Sequence, residues 1–188
     1  MKILVNVLIV LVVIIAALLV TALFTKKSYF VEKEVLINKP KNEVFDYVKY
    51  LKNQNQYSKW ANLDPHMKTA FKGTDGAPGF VSAWDSNQKN VGKGEQEIKK
   101  ITDGERIDYE IRFIKPFPST APSYMTTEAV NEHQTKVKWA FAGNMTYPMN
   151  LMLLFMDMNK MIGDDLQTGL NNLKGIMESN ARMAQATQ

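Results

Sequence analysis

The feature that most constrains this chain is an apolar run near its beginning, which extends from Ile3 to Phe24 without a charged residue. As an α-helix the run would be about 33 Å long, and the hydrocarbon core of a bilayer is about 30 Å thick. The run therefore predicts one transmembrane helix. Because Lys2 precedes it and Lys26 and Lys27 follow it, the basic residues do not choose a side of the membrane.

A cleaved signal peptide is the competing interpretation of the same run. Val20, Thr21 and Ala22 would suit the small-residue rule for cleavage, but the run is longer than the roughly 7–15 residues of a signal core. We therefore expect a retained, single-pass membrane anchor. The predicted organisation is an anchor with its basic flank over residues 1–27, one domain over residues 28–180 and a polar tail over residues 181–188.

Charge and composition remove several classes of function. Three of the 23 basic residues flank the apolar run, so 20 remain in the body against 19 acidic ones. A nearly neutral body without a basic stripe gives little attraction to a phosphate backbone, so we expect no nucleic-acid partner. The absence of cysteine excludes disulfides, thiolate metal sites and cysteine nucleophiles.

The body alternates between apolar and polar residues in a way that is typical of strands. In RIDYEIRF, Ile107, Tyr109, Ile111 and Phe113 share one face, which predicts a strand with one buried and one solvated side. Similar patterns predict seven strands, over residues 29–38, 66–73, 79–86, 91–101, 106–114, 123–131 and 135–145. Most of the connections are short turn clusters, so neighbouring strands should be antiparallel, and a one-sided sheet needs a cover.

Helical patterns flank these strands. KPKNEVFDYVKYLKN predicts an amphipathic helix after the first strand, and NQNQYSKW predicts a second short helix that ends at Trp60. Apolar residues recur with three-four spacing from Met149 to Met177, which predicts a long amphipathic helix that covers the sheet. Asp157 and Lys160 interrupt its apolar part, so we do not expect a second membrane span.

Methionines are concentrated at the start of this predicted helix. Methionine fills irregular space and adapts to varied apolar partners. The cluster that includes Met149, Met152 and Met156 therefore favours a wall of a ligand space between the helix and a curved sheet. Ordinary core packing is the alternative for each of these residues taken singly.

The order of elements and several motifs resemble the START-like superfamily, in its polyketide cyclase/dehydrase-like branch called SRPBCC. The motifs are INKPKNEVFDYV, YSKWANLDP, GFVSAWDSNQKNVGKGEQEI, FIKPF and IGDDLQTGLNNLKGIME. The resemblance implies an α+β helix-grip (START/Bet v 1-like) fold, in which a curved antiparallel sheet of about seven strands surrounds a long C-terminal helix. It also implies a container for lipids, sterols, polyketides or other apolar molecules.

Ten residues are candidates for contact with such a ligand. Gln96 is one if Ile98 points inward, because the two share a strand face and Glu95 and Glu97 then face solvent. A hydrogen bond to a neighbouring strand or loop is the alternative role for Gln96. Trp60 and Trp84 are expected near the opening, and the others are inward aromatic residues or methionines. The full set is Trp60, Trp84, Gln96, Tyr109, Phe113, Trp139, Phe141, Met149, Met152 and Met156.

No catalytic constellation emerges from the sequence. His66 and His133 fall beside predicted turns, and no cluster has convincing metal-ligand spacing, so we assign no catalytic residue, metal or cofactor. The leading hypothesis is a membrane-tethered binding domain whose partners are a hydrophobic small molecule or lipid and, through residues 3–24, the membrane. The alternatives are a polyketide cyclase/dehydrase-like enzyme that acts on an apolar substrate and a non-catalytic scaffold for another membrane protein.

Overall fold

The computed structural model describes the backbone of residues 1–185 and the side chains of residues 1–179. It begins with helix α1, Lys2–Phe24, in which Ala22 is the one buried side chain. Among the described residues, α1 is the one helix that is long and apolar enough to cross a membrane. Its exposed apolar surface is what a helix solvated by lipid would present.

Seven antiparallel strands form one sheet in the order β1-β7-β6-β5-β4-β3-β2. Their bounds are β1 Ser28–Ile37, β2 Lys68–Lys72, β3 Val81–Asp85, β4 Lys93–Thr102, β5 Arg106–Lys115, β6 Ser119–Asn131 and β7 Gln134–Asn144. Strands β2 to β7 follow one another as a meander, and β1 pairs with β7 along its whole length. The predicted α+β fold with about seven strands is confirmed.

Two short helices connect β1 to β2. They are α2, Lys41–Val48, and α3, Leu51–Tyr57, and a 3₁₀ turn follows at Trp60–Asn62. Their apolar residues point into the domain, since Val44, Phe45 and Leu51 are almost completely buried. These helices therefore close the edge of the core that the long helix leaves open.

The long helix starts later than the sequence pattern predicts. Helix α4 spans Met158–Gln185, and a separate 3₁₀ segment at Met149–Leu154 precedes it. The buried Asn150 side chain donates hydrogen bonds to the carbonyl oxygens of Ala22 at 2.7 Å and Thr25 at 3.0 Å. This contact holds the 3₁₀ segment on the end of α1, so a continuous helix from Met149 is wrong.

The end of α4 also differs from the predicted organisation. The helix continues to Gln185, so its backbone includes the first part of the segment that the sequence assigns to a tail. Residues 186–188 lie outside the described residues.

Helix α4 packs closely on the inner face of the sheet. Leu166, Leu170 and Leu173 are fully buried there, and Gly169 faces Trp139. A Cβ atom at Gly169 would lie 2.8 Å from Cζ3 of Trp139 and 3.5 Å from the backbone oxygen of Tyr57. The missing side chain therefore sets how closely the helix approaches the sheet.

We predict that Gly169→Ala destabilises the protein, although alanine favours a helix by about 1 kcal/mol. The new methyl group would press on a rigid, buried indole, and overpacking of this kind costs about 1–3 kcal/mol. Urea unfolding of the full chain in detergent micelles, followed by tryptophan fluorescence, measures the change.

Gly175→Ala is the matched control in the same helix. Gly175 is exposed, and nothing lies within 4 Å of a Cβ atom built there. This control should stabilise the protein by about 0.5–1 kcal/mol. Equal stabilisation by both substitutions would contradict a close contact at Gly169.

The outer face of the sheet carries a network of ion pairs. The Arg112 guanidinium contacts carboxylate oxygens of Glu95 at 2.6 Å, Glu97 at 2.7 Å and Glu110 at 2.5 Å. Hydrogen bonds from Arg112, and then from Lys99, lower the pKa of Glu97. The predicted division of β4, with Glu95 and Glu97 outside and Gln96 and Ile98 inside, is present in the structure.

We predict that Arg112→Gln lowers stability at neutral pH, because it leaves three carboxylates close together without their cation. A lowered carboxyl pKa contributes stability above the unfolded pKa and loses it as the pH falls through the folded pKa. The difference of about 1 kcal/mol that we expect near pH 7 should therefore shrink below about pH 4. Urea midpoints at several pH values measure it.

Lys136→Gln serves as the comparison for this experiment. Lys136 pairs with the exposed Glu128 at 3.7 Å, and such surface pairs contribute little. This variant should therefore unfold like the parent at every pH. A deficit for Arg112→Gln that does not change with pH would show that its effect is not electrostatic.

Candidate functional site

A cavity of about 320 Å³ lies between the sheet and the first turns of α4. It occupies the half of the domain where β1 begins at Ser28 and β7 ends at Asn144, which we call the α1 end because α1 joins there. Its wall is formed by Tyr29, Leu51, Gln54, Asn55, Ser58, Trp60, Ala61, Met67, Thr69, Ser82, Ala83, Trp84, Asn90, Val91, Gln96, Ile111, Phe113, Ser123, Trp139, Phe141, Ile162 and Leu166.

The inner face of β5 changes from filled core to cavity wall along its length. Ile107 and Tyr109 are buried, whereas Ile111 and Phe113 are only partly buried and line the cavity. Helix α4 follows the same gradient, because Leu170 and Leu173 are fully buried and Ile162 faces the hollow. The domain is therefore solidly packed at one end and open inside at the α1 end.

Aromatic rings support one another along the sheet side of the cavity. The ring of Phe113 lies edge-on to Trp84 at 6.1 Å and to Phe141 at 6.3 Å between centroids, and Phe141 stacks on Tyr29 at 6.2 Å. Such pairs are attractive beyond the area that they bury. The chain of contacts fixes the rings along the wall and keeps them from collapsing into the space.

A second aromatic group lies on the helix side. Trp139 contacts Tyr57 at 5.9 Å and Trp60 at 6.2 Å, both edge to face. Because Gly169 also presses on Trp139, the indole that lines the cavity is held from three directions. This part of the cavity wall is therefore closely packed against α3 and α4.

Trp84 lies flat over the glycine of the neighbouring strand. A Cβ atom at Gly94 would lie 2.6 Å from Cζ2 of Trp84, and the indole N–H donates to the backbone oxygen of Val91 at 3.2 Å. The glycine in the KGE stretch is therefore a site of close approach, which is a common role of strand glycines. It makes room for an aromatic wall residue.

The polar part of the wall is a pair of amides. Gln54 donates to Oε1 of Gln96 at 3.3 Å, and Gln96 donates to Oε1 of Gln54 at 3.2 Å. Both side chains are buried. Ser123, nearby on the wall, donates to the backbone oxygen of Ala140 at 2.7 Å. The amides keep further donor and acceptor capacity that a ligand with a carbonyl or hydroxyl group could use.

We predict that Gln96→Leu destabilises the protein by about 1–3 kcal/mol, because it leaves the buried amide of Gln54 without its partner. The double variant Gln54→Leu/Gln96→Leu should cost less than the single one, since neither polar group then remains. Urea unfolding of the parent, both single variants and the double variant gives the coupling energy. Additive costs would contradict the reciprocal pair.

Tyr29 is the one titratable side chain among the described residues that line the cavity. Burial raises the pKa of its hydroxyl, so the group stays protonated at neutral pH. His66 and His133 are exposed in turns, outside the cavity wall. The wall can bind and orient an apolar molecule through shape, aromatic faces and a few hydrogen bonds.

The structure brings six of the ten candidate residues together. The six that line the cavity are Trp60, Trp84, Gln96, Phe113, Trp139 and Phe141. Tyr109 lies on the same face of β5 but in the filled half, where its hydroxyl is buried and has no hydrogen-bond partner among the described residues. Burial raises its pKa far above the usual range.

The three candidate methionines lie elsewhere. Met149 and Met152 are exposed in the 3₁₀ segment, and Met156 lines a separate cleft beside α1. The reason is the late start of α4, which removes these residues from the face that covers the sheet.

Several residues of the cavity wall are not among the ten candidates identified from the sequence. Tyr29, Ser82 and Ser123 lie on inward faces of their strands, so the alternation could have found them. Gln54 follows Leu51 by three residues in α3, which is a helical signal for the same face. They are not among the candidates because they are polar, and a pattern that divides residues into apolar and polar assigns polar residues to the solvent-exposed face.

These features define a helix-grip protein with a preformed apolar cavity. The chain matches the family described as "Polyketide cyclase / dehydrase and lipid transport" over residues 30–178. This match covers more than half of the chain, and the protein belongs to that family. The predicted membership of the SRPBCC superfamily is confirmed. Comparison with the curated proteins gives no match.

Solved structures share the fold at low sequence identity. Norcoclaurine synthase from Thalictrum flavum, a point mutant in complex with a transition state analogue, has a TM-score of 0.61 and 6% identity, with 82% of this chain and 96% of that chain covered. The di-domain ARO/CYC StfQ from the steffimycin biosynthetic pathway has a TM-score of 0.59 and 10% identity, with 82% and 52% covered. Ara h 8.0201 has a TM-score of 0.52 and 16% identity, with 81% and 99% covered.

Proposed function

We propose that this protein is a membrane-anchored binding protein that holds a hydrophobic small molecule or lipid in the cavity between the sheet and α4. Residues 1–27 would form the anchor and residues 28–180 the binding domain. The observation that carries the proposal is the cavity of about 320 Å³, since ligand sites are mostly apolar hollows of about 300–1,000 Å³ with a few placed polar groups. The amide pair of Gln54 and Gln96 would supply that polar contact.

The contact of Asn150 with α1 supports a retained anchor. Cleavage after Ala22 would remove a carbonyl that accepts a hydrogen bond from the fully buried Asn150 side chain. A buried polar group that loses its partner costs about 1–3 kcal/mol. The domain thus makes a buried hydrogen bond to the end of α1, which is unexpected for a segment that is removed by cleavage.

The wall chemistry supports binding over cyclisation. A cyclase of this shape needs an acid or base that contacts the substrate and has a pKa near the working pH. Among the described wall residues the titratable candidate is Tyr29, whose pKa is raised. The likeness to norcoclaurine synthase and to the ARO/CYC protein is one of fold, at 6% and 10% identity.

The outer sheet face gives less support to a scaffold. It presents partly solvated ion pairs, such as those of Arg112 with its glutamates and of Lys138 with Glu32 at 3.5 Å. Interface cores are depleted of charged residues. A partner that covered this face would have to desolvate several of these charges.

We predict that Ser82→Trp lowers ligand occupancy, because Ser82 is a buried wall residue opposite Gln96 and an indole there would fill the hollow. If the indole and the ligand compete for the same space at an overpacking cost of about 1–3 kcal/mol, binding should weaken by roughly 5- to 150-fold. The full chain is purified from native membranes in mild detergent and extracted with organic solvent. Mass spectrometry then gives the amount of each copurified lipid per protein.

Thr126→Trp is the matched control, because Thr126 lies on the outer face of β6 opposite Lys138. It should retain the same lipids as the parent. Loss of one defined lipid class in Ser82→Trp alone supports the proposal. Identical extracts from all three proteins, with both variants folded by circular dichroism, would contradict a ligand in this cavity.

A further inference from the structure

The methionine-rich segment, residues 145–156, exposes several large apolar side chains on the folded body. It contains no charged residue. Phe155 is 82% exposed and Leu154 is 56% exposed, and Met149 and Met152 are exposed as well. A cluster of exposed apolar side chains is typical of a surface that contacts a partner or a membrane when the protein functions, whereas single exposed apolar residues are common on any protein.

The segment is fixed to the last turn of α1. Besides the two bonds of Asn150 to Ala22 and Thr25, the backbone N–H of Met145 donates to the oxygen of Lys27 at 2.7 Å. The carbonyls of a helix end have no partner within the helix, so Asn150 completes their hydrogen bonding. The segment consequently has a defined position along the axis of α1.

That position is the boundary of the bilayer. If the roughly 33 Å from Ile3 to Phe24 cross a hydrocarbon core of about 30 Å, residues 22–25 lie where the core meets the headgroups. Phe24 is itself 86% exposed. The methionine-rich segment must lie beside it, at the same depth.

We infer that the methionine-rich segment is a second membrane contact, which inserts its apolar side chains into the interfacial layer of the bilayer that α1 crosses. This inference rests on the proposed anchor. The occupant of the surface is lipid, because the surface continues that of α1 and because the exposed Lys26 and Lys27 border it with positive charge that suits anionic headgroups. Interfacial segments combine apolar insertion with such charge.

The contact would orient the cavity as well as the domain. A cleft between α1 and the methionine-rich segment is lined by Phe24, Leu154 and Met156, and Tyr29 belongs both to this cleft and to the cavity wall. With the segment in the lipid layer, the Tyr29 side chain would lie between the cleft at the membrane and the hollow, since it belongs to the walls of both. The ligand class that this geometry favours is therefore one that partitions into the bilayer.

The absence of cysteine allows a direct test with single spin labels. The full chain, labelled in separate variants at Phe155→Cys, Leu154→Cys, Ile9→Cys and His133→Cys, is reconstituted into vesicles of phosphatidylcholine and phosphatidylglycerol. Accessibility to oxygen, which concentrates in lipid, is compared with accessibility to a water-soluble nickel complex. Ile9 reports the N-terminal half of α1, and the exposed His133 reports the β6–β7 turn at the opposite end of the sheet.

We expect the oxygen-to-nickel ratio at Phe155→Cys and Leu154→Cys to be several-fold higher than at His133→Cys and closer to that at Ile9→Cys. If Ile9→Cys lies in lipid but both segment labels resemble His133→Cys, the membrane contact is overturned while the anchor stands. If Ile9→Cys is itself in water, the anchor and the inference both fail. A third outcome is that both segment labels are shielded from oxygen and from nickel, and that their spectra show spin–spin broadening that disappears when unlabelled protein is added. This outcome would mean that a second copy of the chain covers the segment, and it would overturn a lipid contact.

Discussion

The architecture depends on the close packing of α4 against the sheet, and Gly169 is the position where this packing also fixes a residue of the cavity wall. Gly169 lets the helix press against Trp139, with Cζ3 of the ring 2.8 Å from where a Cβ atom would be. From that contact toward the C-terminal turns of α4, Leu170 and Leu173 fill the space completely. In the other direction Gly163 still lies close to Val31 of β1, while Ile162 and Leu166 also face the hollow. Along α4, the filled core is therefore followed by a part of the domain that leaves space for a ligand.

The hollow persists because its walls are stiff. Aromatic rings that lean on one another along the sheet, such as Trp84, Phe113 and Phe141, have few rotameric ways to move inward. Each atom that lines an empty apolar space lacks the dispersion contacts that it would make in a filled core. A molecule that restores those contacts would bind with an affinity that increases with its shape complementarity to the cavity. The same hollow that lowers the stability of the unliganded domain would therefore favour binding of an apolar ligand of matching shape.

Local sequence patterns were sufficient for the elements of the fold. Alternation predicts β5 over residues 106–114, and the strand spans Arg106–Lys115. The same alternation cannot distinguish Ile107 from Ile111, because both are isoleucines on one face. One is core and the other is cavity wall only because of where α4 lies above them.

The start of α4 cannot be predicted from the local pattern either. Apolar spacing continues back to Met149, but a hydrogen bond between Asn150 and Ala22, distant in the chain, determines the structure there.

Chain order explains why α1, the methionine-rich segment and the cavity lie at the same end of the domain. In an antiparallel pair of β1 and β7, the start of β1 lies beside the end of β7. The helix that precedes β1 and the segment that follows β7 must therefore meet, and α4 must start from the same place. The first turns of α4 are those that roof the hollow. If α1 is the proposed anchor, attachment at the beginning of β1 would bring the hollow half of the domain to the membrane, whereas a membrane helix fused after α4 would leave it facing away.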